Sequence, residues 1–155
     1  MAEFSGKVAL VTGAAGNIGR AVAVLLAERG AHIVAADMAA ARKQLTETVQ
    51  LCGGTAQAVT FDVTNAAEVA DVMANVGARV GVADLVCNNA GYQGHFANLL
   101  DYDQADFGRV LDINVAGVFN VLQTSARLLR DAGKPGSIVN TASMAGVTGA
   151  PNMAA

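Results

Sequence analysis

Short apolar runs alternate along the chain with longer segments in which apolar residues recur every three or four positions. The short runs are rich in β-branched residues and have the length of buried strands, whereas the longer segments have the period of amphipathic helices. The pattern predicts five strands, at residues 7–11, 33–36, 56–61, 85–87 and 137–141. It also predicts helices over residues 18–29, 41–52, 65–80 and 102–131, followed by a loop after Ser143.

The strands are apolar on both faces, which indicates a parallel sheet covered by helices on each side. The alternation of strands and helices therefore predicts a doubly wound α/β fold of the Rossmann type, with residues 1–155 in one domain. The long helix at 102–131 is apolar along more than one line of its surface. Since the sheet covers only one line, the helix is either buried in a larger domain or part of a subunit interface, and we expect a homo-oligomer through it.

Composition and charge exclude several classes of protein. Hydrophobic residues make up 53% of the chain and charged residues 15%, as in globular domains. The net charge of −3 and the scattered basic residues disfavour nucleic-acid binding, and no run approaches the roughly 18 apolar residues of a membrane span. Two cysteines, Cys52 and Cys87, provide neither a disulfide framework nor a metal site, so we expect a cytoplasmic protein without metal.

A glycine-rich segment, Thr12–Gly19, follows the first strand and opens the first helix. Glycine lets the backbone approach a diphosphate, and the free N–H groups of a helix N-terminus attract its negative charge. No Lys-Ser or Lys-Thr pair follows the glycines, which disfavours a nucleoside-triphosphate site. The segment therefore predicts a dinucleotide site.

Asp37 closes the second strand about 20 residues beyond these glycines, where a carboxylate accepts hydrogen bonds from an adenosine ribose. This predicts NAD, since Asp37 repels a 2′-phosphate and the next residue, Met38, is not an arginine. The alternative is that Asp37 only caps the next helix. Asp62 and Val63 are similarly placed to hold adenine, although a turn-forming role explains Asp62 nearly as well.

Four motifs together resemble the short-chain dehydrogenase/reductase family, and the similarity runs the whole length of the chain. They are Thr12–Gly19, Asn-Asn-Ala-Gly at 88–91, Asn114 in Asp-Ile-Asn-Val, and Ser143 after Asn-Thr-Ala. The first motif departs from the family pattern, because Asn17 stands where the family has its middle glycine and Gly16 lies one position earlier. We expect Asn17 to be tolerated there, since asparagine accepts a positive φ.

The resemblance implies a site for catalysis and a site for NAD. Ser143 is expected to bond the substrate oxygen and Asn114 to hold a water in a proton relay, whereas a plain loop serine and a structural amide are the alternatives from the residues alone. The expected cofactor residues are Gly13, Asn17, Ile18, Gly19, Asp37, Asp62, Val63, Asn89, Ala90 and Gly91.

The family's general base, a tyrosine followed four residues later by a lysine, is absent from the 155 residues. Tyr92 and Tyr102 precede the catalytic strand and lack that lysine, while residues 151–155 resemble the loop before the family's tyrosine. We therefore expect the N-terminal portion of a longer enzyme, truncated before Tyr-x-x-x-Lys. The C-terminal part of the domain would be missing, and the 155-residue chain alone would be inactive.

The resemblance implies an NAD-dependent oxidoreductase that transfers hydride between the nicotinamide and a secondary alcohol or ketone. Segments 88–94 and 140–147 are most similar to bacterial polyol dehydrogenases of the xylitol type, which suggests a polyol-like substrate. A 3-oxoacyl reductase is the alternative in the same family, although that activity ordinarily uses NADPH and Asp37 disfavours it. A non-catalytic dinucleotide-binding module is the alternative of another class.

Overall fold

Five parallel strands form one sheet in the computed structural model, which describes residues 2–153. The strands are β1 (Val8–Thr12), β2 (His32–Asp37), β3 (Ala56–Thr60), β4 (Leu85–Asn88) and β5 (Ser137–Asn140). Their spatial order is β3-β2-β1-β4-β5. The chain thus builds outward from β1 in one direction and then in the other, and the predicted doubly wound Rossmann fold is confirmed.

Six α-helices accompany the strands in the described part of the chain. They are α1 (Asn17–Glu28), α2 (Arg42–Leu51), α3 (Ala66–Val80), α4 (Gln104–Leu111), α5 (Val118–Asp131) and α6 (Ala145–Thr148). A π-helical turn, Asp112–Gly117, joins α4 to α5 without a break, so the predicted long helix exists but begins at Gln104. The prediction of a loop after Ser143 is wrong, because α6 forms there. The third strand ends one residue earlier than predicted, and Phe61 lies just after it as a buried core residue.

The two faces of the sheet form separate cores, which explains why its central strands are apolar throughout. Alternate residues of β1 and β2 point to opposite faces. The face carrying Leu10 and Val34 packs on apolar residues of α3 and α5, and the face carrying Val11 and Ile33 packs on α1 and α2. Helices therefore cover both faces of the central strands.

A buried carboxylate fixes the amino ends of the strands. Asp84, just before β4, accepts the Val8 N–H at 2.9 Å and lies 2.9 Å from the Lys134 ammonium and 3.5 Å from that of Lys7. Burial opposes its ionisation, but the Val8 amide and the two lysines together hold the pKa of Asp84 below its usual value. The carboxylate therefore joins β1, β4 and the segment before β5.

The long helix buries one side and exposes another. Val110 and Val121 are buried, whereas four apolar residues spaced four apart are 41–60% exposed, namely Phe107, Leu111, Val115 and Phe119. The exposed line continues to Phe119 at a constant spacing of four residues, because the π-helical turn adds a residue to one turn and shifts the face. None of the helices in residues 2–153 has the length and apolar character needed to cross a membrane.

Candidate functional site

A crevice of about 700 Å³ opens at the carboxyl ends of the central strands, where the strand order reverses. In open α/β sheets this is where ligands bind. All of the cofactor residues predicted from the sequence line it: Gly13, Asn17, Ile18, Gly19, Asp37, Asp62, Val63, Asn89, Ala90 and Gly91. The structure therefore brings these residues together from four separate segments of the chain.

The turn between β1 and α1 needs glycine at two positions. Gly13 has a φ of +66°, and a Cβ there would lie 3.0 Å from the Ala90 Cα. A Cβ on Gly19 would overlap the Gly13 carbonyl oxygen. Asn17 is the first residue of α1 and does not have a positive φ, so the expected reason for its tolerance is wrong. The turn leaves the first N–H groups of α1 facing the crevice.

A polar contact from α2 holds this turn from outside the crevice. The Thr48 hydroxyl donates to the Ala14 carbonyl at 2.8 Å and accepts the Arg20 Nε–H at 3.1 Å. Thr48 is fully buried, and Arg20 also lies 3.5 Å from Glu47. Because these groups bond the turn and do not line the crevice, they fix its shape without contacting a ligand.

Asp37 crosses from β2 to the glycine-rich turn. One carboxylate oxygen accepts the Ala15 N–H at 2.9 Å and the other accepts the Met38 N–H at 2.8 Å. No side-chain cap is present on the 3₁₀ turn Ala39–Ala41 or on α2, so the capping alternative is wrong. Each oxygen retains a lone pair, and the carboxylate is held in a fixed orientation toward the crevice.

Asp62 forms a turn, which was the alternative role predicted for it from the sequence. One of its oxygens accepts both the amide N–H of Thr64 at 2.9 Å and the Thr64 hydroxyl at 2.8 Å. The other oxygen has no hydrogen-bond partner among residues 2–153 and remains available to a ligand. Val63 packs beside Gly117, where a Cβ would come within 2.7 Å of the valine methyl. Turn formation and ligand contact are thus compatible at this position.

Neutral polar side chains connect the carboxyl ends of β1, β4 and β5. The Thr12 hydroxyl accepts the N–H groups of Asn89 at 2.9 Å and Ala90 at 3.0 Å. Asn88 is buried and donates to the Asn140 side chain at 3.1 Å, and the Thr141 hydroxyl donates to the Asn89 side chain at 3.2 Å. The Asn-Asn-Ala-Gly segment is therefore fixed against the glycine-rich turn.

Asn114 lies in the π-helical turn and binds the loop after β4. Its side-chain oxygen accepts the Tyr92 N–H at 2.8 Å, and its amide nitrogen donates to the Tyr92 carbonyl at 2.8 Å. This matches the structural-amide alternative for the side chain. A proton relay through Asn114 would have to use the second lone pair or second N–H of its side chain, or its backbone carbonyl.

The carboxylate of Asp106 also fixes the loop that follows β4. Asp106, buried on α4, accepts the hydroxyl groups of Tyr92 at 2.8 Å and Tyr102 at 2.9 Å, and the His95 N–H at 2.9 Å. The hydrogen bond to Asp106 raises the pKa of Tyr92, and burial together with the same carboxylate raises that of Tyr102. A catalytic tyrosine needs a lowered pKa, so neither phenol is suited to act as the general base.

Ser143 lies outside the crevice wall. Its hydroxyl oxygen accepts the N–H of Ala145, the first residue of α6, at 3.1 Å, and its side chain is exposed. Thr141, two residues earlier, does line the crevice, whereas Ser143 and Asn114 do not. Neither of the two expected catalytic residues therefore lines the crevice.

The profile of the short chain dehydrogenase family matches residues 7–155, nearly the whole chain. The chain belongs to the short-chain dehydrogenase family. The resemblance inferred from the four motifs is therefore confirmed.

Relatives within this family extend beyond the matched region. The chain is 33% identical to the 3beta-hydroxysteroid dehydrogenase of Mediterraneibacter gnavus, covering 100% of this chain and 56% of the relative. It is 38% identical to the cyclohexanol dehydrogenase of Acinetobacter sp. strain SE19, covering 97% and 60%. The crystal structure of an NAD⁺-bound xylitol dehydrogenase superposes with a TM-score of 0.92 at 47% identity, covering 98% of this chain and 58% of that one. The chain thus spans less than two thirds of the length of these relatives.

Several residues of the site were not found from the sequence. Thr12 and Thr141 hold the segment that follows β4, and Arg109 and Ile113 line the crevice. The only local signal for Thr12 and Thr141 is a hydroxyl residue at the end of an apolar strand. Arg109 has no signal, because a single arginine on an amphipathic helix is ordinarily a solvated side chain.

Proposed function

We propose that the whole protein is an NAD-dependent oxidoreductase that transfers hydride between the nicotinamide and a secondary alcohol or ketone of polyol-like chemistry. The observation that carries this proposal is the placement of Asp37 in the crevice, held by the Ala15 amide of the glycine-rich turn. A carboxylate at this position suits a ribose diol and repels a 2′-phosphate. The similarity to an NAD⁺-bound xylitol dehydrogenase supports both the cofactor and the substrate class.

The proposed orientation of the cofactor follows from the two sides of the crevice. The adenosine lies over the ends of β2 and β3, where Asp37 and Asp62 are available, and the diphosphate lies over the N-terminus of α1. The nicotinamide, which exchanges hydride with the substrate, then lies toward β4 and β5. Gly91 and Ala90 let the backbone pass close to it.

Ser143 and Asn114 are proposed as the catalytic residues of this portion. The Ser143 hydroxyl is exposed beyond β5 and is free to donate its proton to a substrate oxygen, which stabilises the charge that develops there. The general base is proposed to lie outside these residues, because Tyr92 and Tyr102 both donate to Asp106. The 155-residue chain alone would then be inactive. Reading the gene beyond the codon for Ala155 tests this: an in-frame Tyr-x-x-x-Lys supports the enzyme, and a stop codon supports a non-catalytic binding module.

Replacement of Asp37 tests the choice of cofactor. In the full-length protein, Asp37→Ala is expected to raise the Kd for NAD by about 10- to 100-fold, since a hydrogen bond to a charged group contributes about 1.5–3 kcal/mol. The Kd for NADP should change far less, because the repulsion of its 2′-phosphate is lost too. Isothermal calorimetry with both cofactors measures the two changes.

The control for that experiment must separate ribose recognition from support of the turn, because Asp37 also bonds Ala15. Thr48→Val removes the hydroxyl that holds Ala14 and does not touch the crevice. It should weaken NAD and NADP by the same factor. An equal loss for both cofactors in Asp37→Ala would show that Asp37 does not recognise the ribose.

A panel of polyols, simple ketones and 3-oxoacyl thioesters tests the substrate class. Turnover by the full-length protein is measured through nicotinamide absorbance. Polyol oxidation that is faster than 3-oxoacyl reduction supports the proposal, and the reverse order supports the 3-oxoacyl reductase alternative.

Assembly into a homo-oligomer is also proposed. The exposed line Phe107, Leu111, Val115 and Phe119 presents an apolar face on the long helix, and a second copy of the chain would cover it. Val115→Asp should lower the molecular mass measured by analytical ultracentrifugation, and an unchanged mass would contradict this interface.

We place the protein in the cytoplasm, where free Cys52 and Cys87 would remain reduced.

A further inference from the structure

One cation in the crevice has no role in the function proposed above. Arg109, on α4, is the only positively charged side chain among the described residues that line the crevice. It is exposed, and its guanidinium makes no hydrogen bond or ion pair with residues 2–153. Arg20 and Arg130, by contrast, each contact a carboxylate. The donors of Arg109 are therefore free for a ligand.

An aromatic ring holds the Arg109 guanidinium in place. Its central carbon lies 4.4 Å from the centroid of the Tyr92 ring. That ring is fixed at both ends, because its hydroxyl donates to Asp106 and its backbone is bonded by Asn114. A guanidinium that stacks through one face retains its other face and its N–H donors. The arrangement presents a planar cation on a rigid support.

Arg109 lies at the side of the crevice formed by the ends of β2 and β3, where the adenosine is proposed to bind. It also lines an adjoining depression of about 280 Å³, which it shares with Met38 after β2 and with Asp62 and Thr64 after β3. These are the strand ends over which the proposed adenosine lies. Adenine is planar and aromatic, and arginine stacks favourably on such rings. An oxidised nicotinamide carries positive charge and would not favour the same neighbour.

We propose that Arg109 is a cofactor-binding residue whose guanidinium covers the adenine of NAD, with Tyr92 as its positioning residue. The inference deepens the proposed function and rests on NAD binding in this crevice. It adds a fourth segment, α4, to the glycine-rich turn and the ends of β2 and β3 in recognition of the adenosine half.

Calorimetric titration of the full-length protein with cofactor fragments tests the proposal. In Arg109→Met, the Kd values for NAD and AMP are expected to rise about fivefold, while that for nicotinamide mononucleotide stays unchanged. The fivefold rise in Kd relative to the parent should persist at high salt, since stacking is screened less than a phosphate contact. A loss that also affects nicotinamide mononucleotide and fades with salt would assign Arg109 to a phosphate and overturn the proposal.

Arg79→Met is the matched control, because Arg79 is exposed on α3 and lies outside the crevice. It should leave all three Kd values unchanged. If the unmodified protein does not bind NAD, the proposed function fails. If it does bind NAD and Arg109→Met matches it, only the role of Arg109 fails.

Variants of Tyr92 test its positioning role. Tyr92→Phe keeps the aromatic face and should bind AMP within about twofold of the parent, whereas Tyr92→Leu should weaken AMP as much as Arg109→Met does. The Tyr92→Leu/Arg109→Met double variant should be no weaker than either single variant, since both remove one stacked unit. Additive losses, or a Tyr92→Leu protein that binds AMP normally, would show that Tyr92 does not position Arg109.

Discussion

The two ends of the parallel sheet are held together by different chemistry. At the carboxyl ends, uncharged groups of Thr12, Asn88 and Thr141 bond across β1, β4 and β5. At the amino ends, the Asp84 carboxylate does this together with Lys134 and Lys7. The neutral network stays intact over a wide pH range and adds no net charge beside the crevice. The ionic network brings its sensitivity to pH and salt to an end of the sheet where we place no ligand.

The largest change is expected from Gly19→Ala at the carboxyl end. The new Cβ would overlap the Gly13 oxygen and lie 2.7 Å from the Gly13 carbonyl carbon, so α1 must move away from the turn. We expect a loss of about 3 kcal/mol in the free energy of unfolding and a rise of more than about tenfold in the Kd for NAD. Urea denaturation and calorimetry measure the two effects.

Gly54→Ala is its control, because a Cβ at Gly54 meets no atom within 4 Å and the residue has no positive φ. It should remain within about 0.5 kcal/mol of the parent and bind NAD normally. Normal NAD affinity in Gly19→Ala would show that close contact between turn and helix is not required for the cofactor.

The second largest effect is expected from Asp84→Asn at the amino end. Removal of the charge leaves the half-buried Lys134 without its ionic partner, so unfolding should require about 2–3 kcal/mol less at pH 7. The folded-state pKa of Asp84 lies below 3.8, the ordinary value for an aspartic acid. The stabilisation by the carboxylate is therefore fully present above pH 3.8 and is lost as the pH falls through the folded-state pKa.

The difference between parent and Asp84→Asn should accordingly be the same at pH 7 and pH 5 and smaller at pH 3, as measured by urea denaturation at each pH. Asp71→Asn, an exposed position on α3, should show no such difference at any pH. A constant difference down to pH 3 would mean that the asparagine acts through packing and not through charge.

Thr12→Val tests the neutral end. Valine has the shape of threonine but leaves the N–H groups of Asn89 and Ala90 without an acceptor, which costs about 1–2 kcal/mol. This loss should be the same at pH 7 and pH 3, in contrast to the loss at Asp84, which is smaller at pH 3. Thr46→Val, whose hydroxyl bonds only its own helix, is the matched control in the same denaturation series. A strongly pH-dependent loss in Thr12→Val would contradict the distinction between the two ends.

The sequence predicted the parts of the molecule that depend on local pattern. Glycine spacing, the acid at the end of β2 and the alternation of apolar periods predicted that Gly13, Gly19 and Asp37 lie around one crevice, because each is defined by neighbours in the chain. The sequence could not predict that Asp37 would also bond the Ala15 amide, since that contact depends on how β2 aligns beside β1.

The contacts that were missed join distant segments. Thr12 bonds a residue 77 positions away, and Asp84 pairs with Lys7, which lies far before it in the chain, and with Lys134, which lies far after it. Asp106 could not be distinguished from an ordinary surface acid of α4, because its burial depends on the loop that folds over it. The π-helical turn Asp112–Gly117 carries no proline to mark it, and it shifts the exposed line of the helix.

The smallest effect is expected from Lys7→Met, and it shows how unequally the two lysines at the amino end contribute. Both ammonium groups approach the same Asp84 oxygen, but Lys7 lies 3.5 Å away with 53% of its side chain exposed, whereas Lys134 lies 2.9 Å away and is 32% exposed. An exposed ion pair contributes about 0.5 kcal/mol or less and is screened by salt. Lys7→Met should therefore change the free energy of unfolding by no more than that, whereas Lys134→Met also loses a 2.9 Å bond to the Val82 carbonyl and should cost about 1–2 kcal/mol. Equal losses in the two variants at low salt would mean that Lys7 and Lys134 stabilise the Asp84 carboxylate equally, whatever their distance and exposure.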